Sequence, residues 1–373
     1  MFVELHMIQS FSPANLNRDD TNNPKDCEFG GVRRARISSQ CIKRAIRTSP
    51  VFAETTGVDV GTRTKWLVDL LRKRLVEEGK AEEEASEILT AFVPEFASKL
   101  DSGSEKTAVL LYLSAAEVDS IVQALLEDWD NLPASAKALA KRLVRAHKGQ
   151  TSAPDIALFG RMLAEQPELG MDAACQVAHA LSTHRVTMEM DFYTAVDDLN
   201  PEDTAGAGMM GFTGFDSACF YRYARVDWGQ LVKNLSLDDD NPTEEETDLA
   251  RRTVAGFLRA AVVAVPSGKQ TSFAANNPPS FLLAVVRGDG MGWSLANAFE
   301  RPVYPRQDSG LVAPSVEALD TYWGRLCQVY GTGTLVRTAA LSLDAGLPLQ
   351  NLQNDRVESL EAWVEAVTEA LPA

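Results

Sequence analysis

The sequence predicts an α+β fold: a ferredoxin-like βαββαβ palm that carries a large helical insertion, the fingers, and a β-hairpin, the thumb. Three observations lead to this prediction. Apolar segments follow one another in the order strand, helix, strand, strand, helix, strand, which is the split βαβ arrangement. A long stretch of helical periodicity separates the first helix from the second strand. A Gly-rich segment separates the second strand from the third, as a long hairpin connection does.

Each palm element has a local signature. Val3, Leu5 and Met7 alternate along the first strand, and Ser38 or Ser39 can cap the helix that follows. The last strand is a continuous apolar run. In chain order the predicted elements are strand 3–8, helix 40–47, strand 185–196, strand 217–228, helix 249–265 and strand 281–288.

The connections set the domain organisation. Amphipathic helical segments occupy most of residues 61–149, and the Ala-rich segment 171–184 is also predicted to be helical. We therefore divide the chain into a first part of the palm at 1–60, fingers at 61–184 and a second part of the palm at 185–373. The thumb hairpin is predicted at about 199–217.

Composition narrows the functional classes. The chain has 373 residues and a formal charge of −16, which argues against indiscriminate binding of polyanions. It has no apolar run long enough for a membrane span and no signal-peptide pattern at its start, so we expect a cytoplasmic protein without membrane contact. The five cysteines and four histidines lack the spacing of metal ligands, and we expect no metal and no other cofactor.

Residues 29–53 form a basic stretch within this acidic chain. The stretch contains six Lys or Arg and no Asp or Glu, while the rest of the chain has 30 basic and 52 acidic residues. In the predicted helix, Gln40, Lys43, Arg44 and Arg47 share one face, and apolar residues fill the other. The helix start offers free N–H groups beside Ser38, and Gly30 and Gly31 would let the backbone approach a ligand closely. These features predict a local binding site for a polyanion.

Two other surfaces have a functional interpretation. Lys137, Lys141 and Lys148 recur along a helix that has no acid nearby, which is typical either of a second basic face or of a solvated helix. At the predicted hairpin tip, Met209, Met210 and Phe212 are apolar and look exposed. An apolar tip of this kind finds a partner or folds back onto its own domain.

Several longer motifs carry a resemblance to a known family. They are LNRDD (16–20), KDCEFGG (25–31), RRARISSQCIKRA (33–45), FYTAVDDL (192–199), FYRYARV (220–226) and SLANAFE (294–300). Together they resemble the backbone subunit (CasC or Cse-type) of the type I-E CRISPR Cascade surveillance complex, over almost the whole chain. The resemblance implies an RRM-like palm with helical fingers and a thumb. It also implies a subunit that is not an enzyme and that stacks head to tail in several copies along the spacer of the guide RNA (crRNA).

The resemblance also implies site residues and partners. The guide backbone would be contacted by Arg18, Lys25, Ser38, Gln40, Lys43, Arg47, Met162 and Lys269. We add Arg44 to these RNA contacts because it shares their helix face. Lys137 and Lys141 lie where the finger lysines of relatives approach target DNA, and the thumb props one base aside. The implied partners are crRNA, target DNA, further copies of the chain, the large and small subunits, the guide-processing endoribonuclease and the 5′-handle-binding subunit.

Two alternatives remain open from the sequence. Backbone subunits of type III complexes use an aspartate on a comparable loop to cut RNA, and Asp19, Asp20 and Asp26 lie on such a loop here. A metal-dependent RNA-cleaving subunit is therefore an alternative. The other is a free-standing RNA-binding protein that does not assemble, against which the apolar hairpin tip argues.

Overall fold

The computed structural model describes residues 1–195, 209–237 and 241–372. The chain divides into two compact units. The sheet unit comprises Met1–Ser49, Val177–Arg225 and Phe257–Pro372, and the helical unit comprises Pro50–Gln176 and Val226–Gly256.

The predicted strands 3–8, 217–228 and 281–288 and the predicted helices 40–47 and 249–265 are all observed, while β2 and β3, between the first strand and the first helix, were not predicted. The strands are β1 (Phe2–Ala14), β2 (Asp26–Phe29), β3 (Val32–Ile37), β4 (Thr62–Thr64), β5 (Leu111–Leu113), β6 (Cys175–Val177), β7 (Ala180–Ser182), β8 (Glu189–Ala195), β9 (Met209–Asp227), β10 (Phe281–Arg287) and β11 (Leu335–Ser342). The helices are α1 (Ser39–Arg47), α2 (Pro50–Thr56), α3 (Leu67–Glu77), α4 (Glu82–Phe96), α5 (Ala115–Glu127), α6 (Ala136–Ala146), α7 (Pro154–Phe159), α8 (Trp228–Leu235), α9 (Glu244–Val263), α10 (Gln270–Phe273), α11 (Val312–Tyr330) and α12 (Leu360–Thr368).

The sheet unit is built on a mainly antiparallel sheet with the order β11-β10-β1-β9-β7-β3-β2. The first strand lies between the last palm strand and the third: β1 pairs with β10 along its length, from Phe2 opposite Arg287 to Ile8 opposite Phe281. Such pairing between distant parts of the chain is what a βαββαβ order requires. The α+β fold with an RRM-like palm is confirmed.

The structure corrects two local predictions. Residues 171–184 are not a helix, because they contain β6 and β7, and β7 takes a place in the palm sheet. Leu181 of β7 is opposite Arg36 on one side and Tyr221 on the other, so pairing on both edges overrides the helical propensity of the alanines. The predicted strand 185–196 is observed as β8, but it is an exposed arm of the hairpin that pairs with the outer part of β9, and β7 holds the place in the palm that was expected for it.

Both faces of the palm sheet are covered. On one face, Leu5 and Met7 of β1 pack near Ile42 and Ile46 of α1 and Phe257 of α9. On the other face, a second cluster combines strand residues with the segment 293–323. Its members include Ile8, Tyr221, Leu283, Trp293, Phe299, Val316, Leu319 and Trp323. Binding to this unit is therefore left to its loops, helix ends and projecting hairpin.

The helical unit has its own apolar core. Helices α3, α4, α5 and α6 contribute to it through Leu71, Phe92, Ile121 and Leu143 among others. A buried ion pair lies beside this core, since Arg161 Nη1 is 2.7 Å from Glu117 Oε1 and both side chains are almost fully buried. The polar residues on the outer faces of these helices are thus held on a packed support.

Candidate nucleic-acid interface

Helix α1 starts at a capped N-terminus. The Ser38 Oγ accepts a hydrogen bond from the backbone N–H of Cys41 at 3.3 Å, which is the role of an N-cap serine. Ile42 and Ile46 are buried beneath the helix. On the predicted polar face, Gln40 and Arg44 are exposed, and Lys43 and Arg47 are half-buried. The helix is therefore anchored by its buried face and presents amide and cationic groups on the other.

The loop between β1 and β2 is tied to the start of α1. Asn17 Oδ1 accepts a hydrogen bond from the Ser38 backbone N–H at 2.8 Å, and the Lys25 N–H donates to the Asn17 carbonyl at 2.9 Å. Within the loop, Asp19 accepts hydrogen bonds from Thr21 and from the Asn23 N–H, and the bond from the Thr21 hydroxyl contributes most to lowering the pKa of Asp19. Arg18 and Lys25 are thus carried on a closed loop beside the helix.

The segment with Lys269 packs against the same loop. A Cβ on Gly268 would lie 2.3 Å from the Leu16 carbonyl oxygen, so only glycine allows this close backbone approach. Lys269 follows at once, with a φ of +50°. Cys41 Sγ of α1 lies 4.0 Å from the same Leu16 oxygen. Three segments that carry predicted site residues therefore meet around Leu16.

Arg36 and His179 add polar groups that the sequence did not indicate as site residues. Arg36 Nη1 lies 2.8 Å from His179 Nδ1, and the Arg36 backbone N–H donates to the Lys25 carbonyl at 2.9 Å. Burial lowers the pKa of His179, and the nearby cations of Arg36 and Lys25 lower it further. His179 could not be recognised from its neighbours in the sequence. It lies next to Arg36 only because β3 pairs with β7, and these strands are far apart in the chain.

Part of the basic stretch serves the fold instead of a ligand. Arg34 is fully buried and donates hydrogen bonds to the carbonyls of Phe29, Ser182 and Phe299. Gly30 and Gly31 form the turn between β2 and β3 with positive φ, and a Cβ on Gly30 would collide with the Glu300 carbonyl. The expected close approach of these glycines to a ligand is therefore wrong for Gly30, whose close neighbour is protein backbone.

Strands β8 and β9 form the base of the hairpin. Residues 196–208 lie outside the described residues, and with them most of the predicted tip. Met209, Met210 and Phe212 lie on β9, opposite Ala195, Thr194 and Phe192. Met190, Phe192, Met210 and Phe212 share one face of this ribbon, and each is more than half exposed. The ribbon thus offers an apolar face to the surroundings.

The base of this ribbon is fixed to the loop that carries Arg18. Asn15 Nδ2 donates to the Asn22 carbonyl at 2.9 Å and to the Gly214 carbonyl at 2.8 Å. Phe215 of β9 packs on Phe273 of α10, with ring centroids 5.9 Å apart. Burial, with a smaller contribution from Asp26, raises the pKa of Asp216 to about 6 at this base. The hairpin, the Arg18 loop and the Lys269 segment therefore form one continuous region of the sheet unit.

In the helical unit, Met162 is presented by a rigid loop. Its side chain is 93% exposed. The neighbouring Arg161 donates from Nε to the Leu169 carbonyl at 2.7 Å and pairs with Glu117 through Nη1. Gly160 has a φ of +74° and leaves no room for a Cβ beside Met171 and Ala173. The loop is therefore held by buried contacts, while Met162 itself reaches solvent.

Helix α6 carries the second predicted basic face. Lys137 and Lys141 are exposed, and Lys137 Nζ lies 3.4 Å from Glu95 Oε2. Arg142, Arg145 and Lys148 are exposed as well. This face consists of residues from a single helix and its end.

Two acids of the alternative catalytic site, Asp19 and Asp26, make different contacts within the protein. Asp19 closes its own loop, and Asp26 Oδ2 lies 3.2 Å from Arg33 Nε. Among the described residues, no group of three or more His, Cys, Asp or Glu side chains could hold a metal ion. No helix in the described part of the chain is long and apolar enough to cross a membrane.

Comparison with known proteins places this geometry in context. The model of the family described as "CT1975-like protein" matches residues 3–366. A chain from a structure titled "CRISPR RNA-guided surveillance complex, pre-nicking" shares 32% identity and a TM-score of 0.85, with 99% of this chain and 100% of that chain covered. A chain titled "CRISPR RNA-guided surveillance complex" shares 26% identity and a TM-score of 0.76, with both chains fully covered. No curated protein matches the chain.

Proposed function

Because the chain belongs to the CT1975-like protein family, we propose that it is a crRNA-binding backbone subunit of a CRISPR surveillance complex of type I-E. In this role it holds the guide without reading its sequence and presents it for pairing with target DNA. The observation that supports the proposal best is the meeting of α1, the Arg18 loop and the Lys269 segment around Leu16.

The chemistry of this region suits ribose and phosphate. A subunit that accepts any spacer must hold groups that carry no sequence information, and these are phosphates and sugars. The cations of Arg18, Lys25, Lys43, Arg44 and Arg47 supply charge, and Ser38 and Gln40 supply directed hydrogen bonds. Delegating sequence to base pairing is the principle of RNA-guided recognition.

The exposed apolar face of the hairpin is suited to insertion between two nucleotides of the guide. Stacking on side chains tolerates every base, and the exposed face with Phe192, Met210 and Phe212 can replace stacking that the guide loses. We assign Met162 and Lys269 to the guide as well, and Lys137 and Lys141 to target DNA. The complete assembly comprises several copies head to tail with the other Cascade subunits, in the cytoplasm.

The test is a double variant on α1. Lys43→Ala with Arg47→Ala should weaken guide binding equally for all spacer sequences. It should also reduce the slope of log K against log salt by about 1.4, since each lost contact to a single-strand phosphate contributes about 0.7. Binding of several unrelated spacers at four salt concentrations measures both effects. A loss confined to some spacers contradicts the proposal.

We further propose that the subunit is not catalytic, in contrast to the type III alternative. The assembled complex should leave complementary RNA intact in the presence of Mg²⁺. Regularly spaced cuts that disappear in the Asp19→Ala or Asp26→Ala variant would establish the nuclease instead.

A further inference from the structure

Trp66 differs from the other tryptophans of the chain. There are six tryptophans, and five of them are at most 7% exposed. Trp66 is 53% exposed. Burying an indole stabilises a fold strongly, so a tryptophan kept at the surface is typical of a contact site.

The backbone around Trp66 is fixed. Trp66 follows β4 and precedes α3, and its N–H donates to Thr64 Oγ1 at 2.8 Å. On the preceding residue, the Lys65 carbonyl accepts a hydrogen bond from the Thr107 N–H at 2.9 Å. The exposed ring is therefore not a consequence of a loose segment.

One lysine contacts the indole, and two more lie in the adjoining segments. Lys106 Nζ lies 4.2 Å from the ring centroid, which is a cation–π contact. Leu100 and Thr107 pair across a short loop, so Lys99 and Lys106 lie on its two sides. Lys65 Nζ is 3.6 Å from Asp101 in a partly exposed pair, and the Glu165 carboxylate accepts a hydrogen bond from the Lys99 backbone N–H. The adjoining segments thus carry Lys65, Lys99 and Lys106 together with the acids Asp101, Glu105 and Glu165, and Glu105 is paired with Arg72.

We propose that Trp66, with Lys99 and Lys106, binds an unpaired nucleotide of a single-stranded nucleic acid. The base stacks on the indole, and the ammonium groups contact the flanking phosphates. A protein partner fits less well, because lysine is depleted at the centres of protein interfaces while tryptophan is enriched there. This inference rests on the proposed function and adds to the helical unit a nucleotide site made of residues that were not assigned to the guide or to target DNA above.

The experiment uses the full chain assembled on guide RNA, with the variants Trp66→Ala, Trp66→Leu and Trp66→Phe. Two readouts distinguish the source of the nucleotide: the amount of guide retained at moderate salt, and the affinity for a single-stranded DNA complementary to the guide. We expect Trp66→Ala and Trp66→Leu to lower one of the two by about five-fold or more, and Trp66→Phe to keep most of it, because stacking needs an aromatic ring. Val329→Ala, at another exposed apolar residue, is the matched control and should change neither.

Tryptophan fluorescence gives an independent reading. The difference between the emission of the wild type and of Trp66→Phe reports on Trp66, and the bound single strand should quench it. If Trp66→Ala retains both guide and DNA at the wild-type level, the inference is wrong. If Trp66→Leu binds as well as Trp66→Phe, the site is an apolar protein contact and the inference is wrong too. Absence of guide RNA from the wild type would instead refute the proposed function.

Discussion

The sheet unit and the helical unit both present cations to solvent, but they build these surfaces differently. In the sheet unit, α1 is joined by Lys25, Arg36 and the Lys269 segment through hydrogen bonds and close backbone contacts. In the helical unit, the cations of α6 lie along one helix, and Lys137 already pairs with Glu95. Cations from several segments can surround one phosphate, whereas cations along one helix can contact successive phosphates from one side only.

The two units also hold their exposed groups by different interactions. The Arg18 loop and α1 are fixed by neutral hydrogen bonds such as those of Asn17 and Ser38. The loop that presents Met162 is fixed by the buried pair of Arg161 and Glu117. A buried ion pair is sensitive to the loss of one partner, because the remaining charge has no water to solvate it.

Removing one partner of that pair should have the largest effect on stability. We expect Glu117→Gln to lower the free energy of unfolding of the chain by about 3–5 kcal/mol, as is typical when a buried pair is broken. Lys137→Ala, which breaks an exposed pair, should change it by less than about 1 kcal/mol. Urea unfolding of the two variants measures the difference. Equal losses would show that the Met162 loop does not depend on the buried pair.

Acid should destabilise the palm sheet while the cations of α1 stay charged. Burial lowers the pKa of His6 to about 4, from 6.5 in an unfolded chain. Between these pH values the unfolded state binds the proton and the folded state does not, so stability falls as pH falls from 6.5 to 4, by about 3 kcal/mol in full. Urea unfolding of the wild type and of His6→Gln at several pH values between 6.5 and 4 measures this loss of stability. The variant should lack the part of the pH dependence that comes from His6. The same slope in both would refute the assignment to His6.

Removing charge from α6 sharpens the contrast between the two basic helices. Lys141→Ala with Arg142→Ala and Arg145→Ala should leave guide retention unchanged and weaken target DNA binding. The salt slope for DNA should fall by about 2–3, since each of the three lost phosphate contacts contributes about 0.7–0.9. Guide retention after gel filtration and DNA titrations at several salt concentrations give both values. If the triple variant loses its guide, α6 and α1 do not have separate roles.

The smallest expected effect concerns the start of α1. Ser38→Ala should destabilise the fold by about 1 kcal/mol, because the N–H of Cys41 loses its acceptor, while Ser38→Gly should cost only a few tenths of a kcal/mol. Thermal unfolding of both variants provides the comparison. A glycine variant that is less stable than the alanine variant would contradict the capping role.

The sequence predicted those parts of the fold whose pattern is local. Strand β1 and helix α1 have clear periodicity, β10 is a continuous apolar run, and Ser38 is a recognisable cap. Strand β7 could not be predicted, because a three-residue strand in an Ala-rich segment is stabilised only by its neighbours β3 and β9. The predicted α+β fold is still correct, because β7 and the predicted strand at β8 occupy nearly the same place in the chain order.

The candidate site was predictable to the same extent. A residue on a polar helix face can be recognised from spacing, as for Gln40 and Arg44. The burial of Arg34 could not, because its acceptors Ser182 and Phe299 are far away in sequence. His179 was missed for the same reason. Spacing along the chain indicates which residues share a helix face, but not which strand will lie beside it.

The covered palm sheet has a consequence for how this chain can be altered. His6 and Tyr221 lie beneath the segment 293–323, where the Tyr221 hydroxyl accepts a hydrogen bond from the Leu295 N–H and forms another with His6 Nδ1. The buried residues of the sheet therefore serve the fold, and the proposed ligand contacts of the sheet unit lie on its loops, on α1 and on the hairpin. Exchanging these surface loops between related chains should transfer their ligand preference without changes to the buried residues of the sheet.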